Sequence, residues 1–154
     1  LRCAEQGMEA GALAALLEKK REDVRLFALL DTLEYLKRGG RISKTVAFAG
    51  GLLNIKPLIT VEDGEVLVVG KARGAKQGMA LLTEKLLSDG GINFDLPILL
   101  GYSGTDASNL EKYRADSREI WQGRGDTLPS TLLCSVIGTH TGPGVVAAAC
   151  FKND

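Results

Sequence analysis

Pro57-Leu-Ile-Thr-Val-Glu62, then Asp63-Gly64, then Glu65-Val-Leu-Val-Val69 is the stretch that decides the fold. Two apolar-rich runs flank an Asp-Gly pair. Both residues of a tight hairpin turn take positive φ, which Asp and Gly tolerate best, so the stretch predicts two antiparallel strands. Outward on the N-terminal side, Val24–Leu30 is a short apolar run with one charge, the pattern of a buried strand. Before it, Met8–Arg21 carries Leu13, Leu16 and Leu17 at helical spacing and reads as an amphipathic helix. After it, Asp31 can cap a helix, with Glu34 reaching back three residues later. Gly39-Gly40 stops that helix. Ser43 caps the next one, whose body Val46–Leu53 is apolar on all sides and therefore buried. Outward on the C-terminal side, Lys76–Leu87 shows Met79, Leu82 and Leu86 at helical spacing and ends at Asp89-Gly90-Gly91. Leu96–Tyr102 reads as a strand and Asp106–Trp121 as a helix. Leu132–Ile137 and Val145–Phe151 read as two more strands joined by a Gly-rich turn. This order predicts an α/β fold, a mixed β-sheet flanked by helices.

Composition narrows the function classes. The 154 residues hold 19 basic and 19 acidic side chains, so a nucleic-acid binder working through bulk charge is excluded. Aromatics are 5%, too few for a base-stacking platform. No apolar run approaches the ~18 residues of a transmembrane segment. A single histidine, His140, rules out a His-rich metal site, and no metal or cofactor is expected. Cys3, Cys134 and Cys150 are odd in number and lack paired spacing, as in a reduced, cytoplasmic protein. Leu1–Gly11 reads as the tail of a helix and its turn rather than a signal peptide, so the chain is expected to be a fragment of something longer.

Three segments are richer in Gly and polar residues than a connector needs. Tyr35–Ile42 sets Lys37, Arg38 and Arg41 around Gly39-Gly40, with Lys44 just beyond. Backbone N–H groups after a Gly pair can face an anion, although the same residues also make an ordinary helix C-cap whose basic side chains complement the macrodipole. Gly138-Thr-His-Thr-Gly-Pro-Gly144 contains His140 between Thr139 and Thr141, with Gly138, Gly142 and Gly144 leaving the backbone open. An imidazole can hydrogen-bond a carboxylate or phosphate near neutral pH, and the alternative is a tight turn with a solvent-facing His. Lys71-Ala-Arg-Gly-Ala-Lys76 reads as a basic, solvated link into a helix. From residue 35 to residue 83 there are eight Lys/Arg and three acids, a net charge of +5 that the rest of the chain cancels. Such a basic middle suits an anionic head group or an acidic protein surface. No Gly-x-Ser-x-Gly elbow, Walker loop or dinucleotide fingerprint is present.

Leu33–Ser43, Asn54-Ile-Lys-Pro-Leu58, Asp63-Gly-Glu65, Lys71-Ala-Arg73 and Gly138–Gly144 together resemble the DegV family in order and spacing, over nearly the whole chain. The resemblance implies a bacterial, cytoplasmic, two-domain α/β carrier of long-chain fatty acids with no catalytic activity of its own. It implies that residues 1–154 are the C-terminal domain. An N-terminal domain would supply hydroxyl groups to the acyl carboxylate, and a separate fatty acid kinase could receive the bound acid. Carried over by position, His140 sits near the carboxylate and Arg41 near the head group. Thr139, Thr141, Gly138 and Gly142 are expected to complete the ligand-binding loop, with Thr139 and Thr141 as its supports on physical grounds, and Lys37, Arg38, Lys44 and Arg73 to form a partner-facing basic patch. Val46–Leu53, with Phe48, could wall the acyl tunnel.

A second reading uses His140 in a phosphotransfer or dihydroxyacetone-kinase-like domain. Intact-mass measurement after incubation with phosphoenolpyruvate, phosphocarrier proteins or ATP separates the two. The carrier reading expects an unchanged mass, and a stable gain of one phosphoryl group overturns it.

Overall fold

The computed structural model describes residues 2–42, 54–88 and 90–153. Its centre is one six-stranded mixed sheet in the order β3-β2-β1-β6-β4-β5. The strands are β1 (Val24–Leu29), β2 (Ile55–Glu62), β3 (Glu65–Arg73), β4 (Leu99–Tyr102), β5 (Ser130–Leu132) and β6 (Val146–Phe151). Neighbours are antiparallel except β4 and β5, which run parallel. The helices are α1 (Arg2–Glu5), α2 (Ala10–Lys20), α3 (Glu34–Arg38), α4 (Gly74–Ser88), α5 (Ser108–Asp116) and α6 (Ser135–Thr141).

The hairpin forms as the Asp-Gly pair dictates. Asp63 and Gly64 sit at φ of 50° and 80°, and Glu62 pairs with Glu65 across the turn. Alternation along the central strands divides the core between two faces. Phe27, Leu29, Leu58, Leu100 and Ala148 face α4 and α5, where Met79, Leu82, Leu86, Leu110, Tyr113 and Trp121 complete the larger cluster. Ala28, Leu30, Ile59 and Ala147 face the other way, with Leu33 and Leu36 from the α3 side. Ala28 and Ala147 give this second face short side chains beside Leu30 and Ile59, and a Cβ on Gly101 of β4 would lie 3.0 Å from Leu133 Cδ2 and 3.6 Å from Ala147 Cβ.

Several expectations are corrected. Residues 132–137 do not form one strand. Pairing stops where Tyr102 meets Leu132, because β4 ends there and a strand without a partner leaves its backbone unsatisfied. The β-branched Val136 and Ile137, which suggested extended chain, lie in α6 instead, 67% and 46% exposed. The loop around His140 is therefore the end of a helix, not a bare turn. Leu96–Tyr102 shortens to β4, since Pro97 has no N–H to give a ladder. The 106–121 helix ends at Asp116, where the Ser117 hydroxyl bonds back to Tyr113 O. It begins at Ser108 rather than Asp106, with Ala107 at the cap position; Asp106 Oδ1 accepts from Ser108 N at 2.9 Å, and hydrogen bonds from Ser108 hold its carboxyl below the usual range.

Asp31 does not cap α3: Leu33 occupies the cap position, Thr32 Oγ1 accepts from Glu34 N at 3.2 Å, and Asp31 pairs with Lys56. Lys71–Arg73 belongs to β3 rather than to a loop, and Gly74 turns the chain into α4 at φ 81°. α2 buries none of its residues, and Leu17 is 60% exposed. Ser43, Lys44 and Val46–Leu53, with Phe48, lie outside the described residues.

On the far side of the sheet, Arg114 is buried and gathers three backbone carbonyls. Its Nη1 donates to Gly125 O at 2.9 Å and to Asp126 O at 3.3 Å, and its Nη2 to Leu128 O at 2.9 Å. Tyr113 meets Trp121 edge to face, with ring centroids 6.2 Å apart, and Thr83 Oγ1 donates to its hydroxyl at 3.4 Å. Burial pushes the Tyr113 phenol up to about 12, against smaller lowering effects from Thr83 and Ser117.

The native state thus holds this proton at pH values where the unfolded chain has lost it, so stability falls as pH rises from 10 toward about 12. The full loss is about 2–3 kcal/mol. Denaturant unfolding of the wild type and Tyr113→Phe at pH 9 and pH 12 checks this: the wild type should lose stability more steeply than the phenylalanine variant.

Candidate functional site

Two of the motifs singled out in the sequence meet in space. α3 and α6 lie on the short-side-chain face of the sheet and touch each other, and glycines set how closely. A Cβ built on Gly39 would lie 2.1 Å from His140 Nδ1 and 2.8 Å from His140 Cε1. A Cβ on Gly142 would lie 2.3 Å from Tyr35 Cδ2. Each helix therefore presses a ring, His140 or Tyr35, onto a glycine of the other. Helices of five and seven residues have little stability alone, so this contact and the sheet beneath must hold them.

His140 is half-buried in the last turn of α6. Its Nδ1 is shut away from solvent without a hydrogen-bond partner, which leaves Nε2 as the nitrogen available to a ligand. Thr139 and Thr141 do not flank it as ligand donors. Their hydroxyls bond back along the helix, Thr139 Oγ1 to Ser135 O at 2.8 Å and Thr141 Oγ1 to Ile137 O at 3.0 Å. Gly142 N donates to Gly138 O at 2.8 Å and ends the helix with φ 78° and ψ −179°, a region open essentially only to glycine. Gly138 has open space where a Cβ would be.

The turn after α6 is fixed by residues that carried no signal in the sequence. Ser103 is buried at the end of β4. Its hydroxyl donates to Gly142 O at 2.6 Å and accepts from Val145 N at 3.1 Å. Asn109 Nδ2 donates to Gly144 O at 3.4 Å. The Gly101-Tyr-Ser103-Gly104 stretch, one residue short of a nucleophile elbow, is thus a clamp on the His140 turn. The Asp31–Lys56 ion pair stands at the same end of β1 and β2. Ser103, Asp31 and Lys56 are the neighbours that spacing alone could not find, because each acts between strand ends distant in the chain, and the Tyr35 contact needs α3 and α6 packed on one face.

Arg41 is exposed, and its guanidinium donates to Gly39 O at 3.1 Å. Gly39 thus touches both predicted head-group residues, His140 through Cα and Arg41 through its carbonyl. Arg41 also lines a cleft of about 280 Å³ with Gly40, Ile42 and the hairpin tip Gly64–Val66. Lys37 and Arg38 are exposed on α3, Arg38 paired with Glu34. Arg73 is exposed at the other end of β3, about 26 Å from that tip at ~3.3 Å per residue. Arg41 and Arg73 are therefore not side by side, and Lys44 lies outside the described residues. A groove of about 460 Å³ runs beside α6, lined by Leu132, Leu133, Cys134, Gly138, Thr139 and Pro143 among others. Among the described residues no group of three or more His, Cys, Asp or Glu could hold a metal ion, and no helix is long and apolar enough to cross a membrane.

Comparison with known proteins gives a consistent picture. The model of the DegV family of uncharacterised proteins matches residues 1–153. A DegV domain-containing protein of Clostridium acetobutylicum is 32% identical over 151 residues, covering 96% of this chain and 51% of that protein. A fatty-acid-binding DegV family protein of Streptococcus agalactiae superposes with a TM-score of 0.79 at 26% identity, over 99% of this chain and 53% of that one. A fatty-acid-binding DegV family protein of Thermus thermophilus superposes with a TM-score of 0.75 at 30% identity, over 99% and 54%. The chain spans about half the length of the relatives it matches.

The glycine-to-ring contacts make a measurable demand. Gly142→Ala should cost at least about 2 kcal/mol, from a disfavoured backbone conformation plus a clash with Tyr35. In Tyr35→Ala the clash is absent, so a double-mutant cycle in urea should return a coupling of about 1 kcal/mol or more. Strict additivity would show that the ring and the glycine do not press together.

Proposed function

The chain belongs to the DegV family, and from that premise we propose that it is the half of a fatty-acid carrier that closes over the acyl carboxylate with His140. The observation that carries this reading is the α3–α6 junction, where an imidazole with one free nitrogen and the Arg41 guanidinium share Gly39. A carboxylate leaving water needs hydrogen bonds or an offsetting charge, and an Nε2 donor with a nearby cation supplies both. The solved relatives named for fatty-acid binding support the ligand class. The groove beside α6 supports it too, since Leu132, Leu133 and Pro143 line it together with Ser103, Ser135 and Thr139, and a ligand site pairs apolar lining with a few polar groups.

In this reading residues 1–154 are the C-terminal domain of a two-domain cytoplasmic protein. Its N-terminal domain adds hydroxyl groups to the carboxylate site. Thr139, Thr141, Gly138 and Gly142 shape the loop without touching the ligand through their side chains. The acid is held, not transformed. Its carboxylate, hydrogen-bonded rather than covalently bound, stays available to a separate fatty acid kinase that docks on the exposed Lys37, Arg38 and Arg41 surface, with Lys44 as a further contact; Arg73, at the far end of β3, stands apart from that surface.

Native mass spectrometry of the whole protein that carries this chain, purified from cells supplied with oleate, should show a fatty-acid adduct. A ligand-free mass under those conditions overturns the carrier reading. His140→Ala should weaken oleate binding roughly 10- to 100-fold, the worth of a hydrogen bond to a charged group. Unchanged affinity would remove His140 from the site.

A further inference from the structure

The geometry points to Gly39 as the positioning residue that fixes the neutral His140 ring in one tautomer, with the proton on Nε2, so that the ligand meets an Nε2–H donor. This rests on the reading of His140 as the carboxylate contact and goes beyond it by assigning the proton and the residue that places it.

The argument starts from what glycine has where other residues carry Cβ. A second Cα hydrogen points along that direction. At Gly39 the direction leads to His140: the Cβ position is 2.1 Å from Nδ1 and 2.8 Å from Cε1. The Gly39 Cα–H is therefore aimed at Nδ1 at close range. If Nδ1 carries a lone pair, the contact is a weak C–H···N hydrogen bond and mildly favourable. If Nδ1 carries a proton, two hydrogens meet head on. That N–H would also be buried with no acceptor, since Nδ1 has no partner and is closed to solvent. Tyr35 O, 3.2 Å from the same Cβ position, accepts from Gly39 N at 2.9 Å and makes no hydrogen bond with Nδ1. Nδ1 is therefore the bare nitrogen, and the proton of the neutral ring sits on Nε2, the side open to ligand.

Two consequences separate this from a generic histidine contact. In that tautomer His140 meets the carboxylate through an Nε2–H donor, and Arg41 supplies a full positive charge beside Gly39. Residue 39 also cannot gain even a methyl group without turning or displacing the ring, so it acts through His140 rather than on the ligand.

The first test needs no ligand. Imidazole ¹⁵N spectra of histidine-labelled whole protein are recorded at about pH 8.5, some two units above an ordinary histidine. The His140 signals are assigned by their loss in His140→Gln. The expected pattern is a bare Nδ1 and a protonated Nε2. A dominant Nδ1–H form in the wild type overturns the proposal without recourse to any Gly39 variant, so failure of such a variant to fold leaves it decidable.

The second test uses Gly39→Ala. It should lose the single-tautomer pattern and bind oleate about tenfold more weakly. It should add no further loss in a His140→Ala background. A Gly39→Ala protein that keeps both tautomer and affinity, or that loses affinity equally without His140, overturns the proposal. If the wild type binds no oleate, the carrier reading fails by itself, and the ligand-free spectra still decide the Gly39 assignment.

Discussion

Two short helices lie against a sheet face, and the room between them is set by residues that have no side chain. That steric constraint at Gly39 and Gly142 governs the rest of the site. α3 is five residues long and α6 seven, too short to persist unless packed. Each inserts an aromatic or heteroaromatic ring where the other offers bare backbone. The contact holds the His140 ring against Gly39, whose carbonyl accepts from Arg41, and a groove runs beside α6.

Much of the scaffold was legible because its signals are local. The Asp63-Gly64 turn needs only two residues to adopt positive φ, and it specified the β2–β3 pairing. α4 was legible because Met79, Leu82 and Leu86 repeat at helical spacing toward a face that really is buried. The family signature was legible for another reason: residues serving one contact are spaced in a fixed order along the chain. α6 was misread because Val136 and Ile137 are β-branched, and propensity gives way when no partner strand is present to complete a ladder.

The site's polar supports were invisible for a different physical reason. Ser103 and the His140 turn are about forty residues apart, and only the β4–β6 pairing brings the hydroxyl between Gly142 O and Val145 N. Asp31 looked like a helix cap because a carboxylate just before a helical run commonly is one. The sheet placed Lys56 beside it instead, and an ion pair with a partly buried amine outcompeted a cap hydrogen bond. The basic middle of the chain is real in sequence, yet a nine-residue strand separates its two ends, so a charge sum along the chain says little about charge density in space.

Arg114 sits on the opposite face from His140, yet its influence crosses the sheet. Its guanidinium gathers the carbonyls of Gly125, Asp126 and Leu128. The next residue, Pro129, accepts from Leu100 N, and β5 begins one residue later. β5 is three residues long and hands over to α6 after two more. A strut of one cation and three peptide dipoles therefore sets where the crossover strand docks, and with it the elevation of the helix that carries the imidazole. The bearing surface for His140 extends to the far layer of the molecule, so its alignment is a property of the whole sandwich rather than of the loop that holds it.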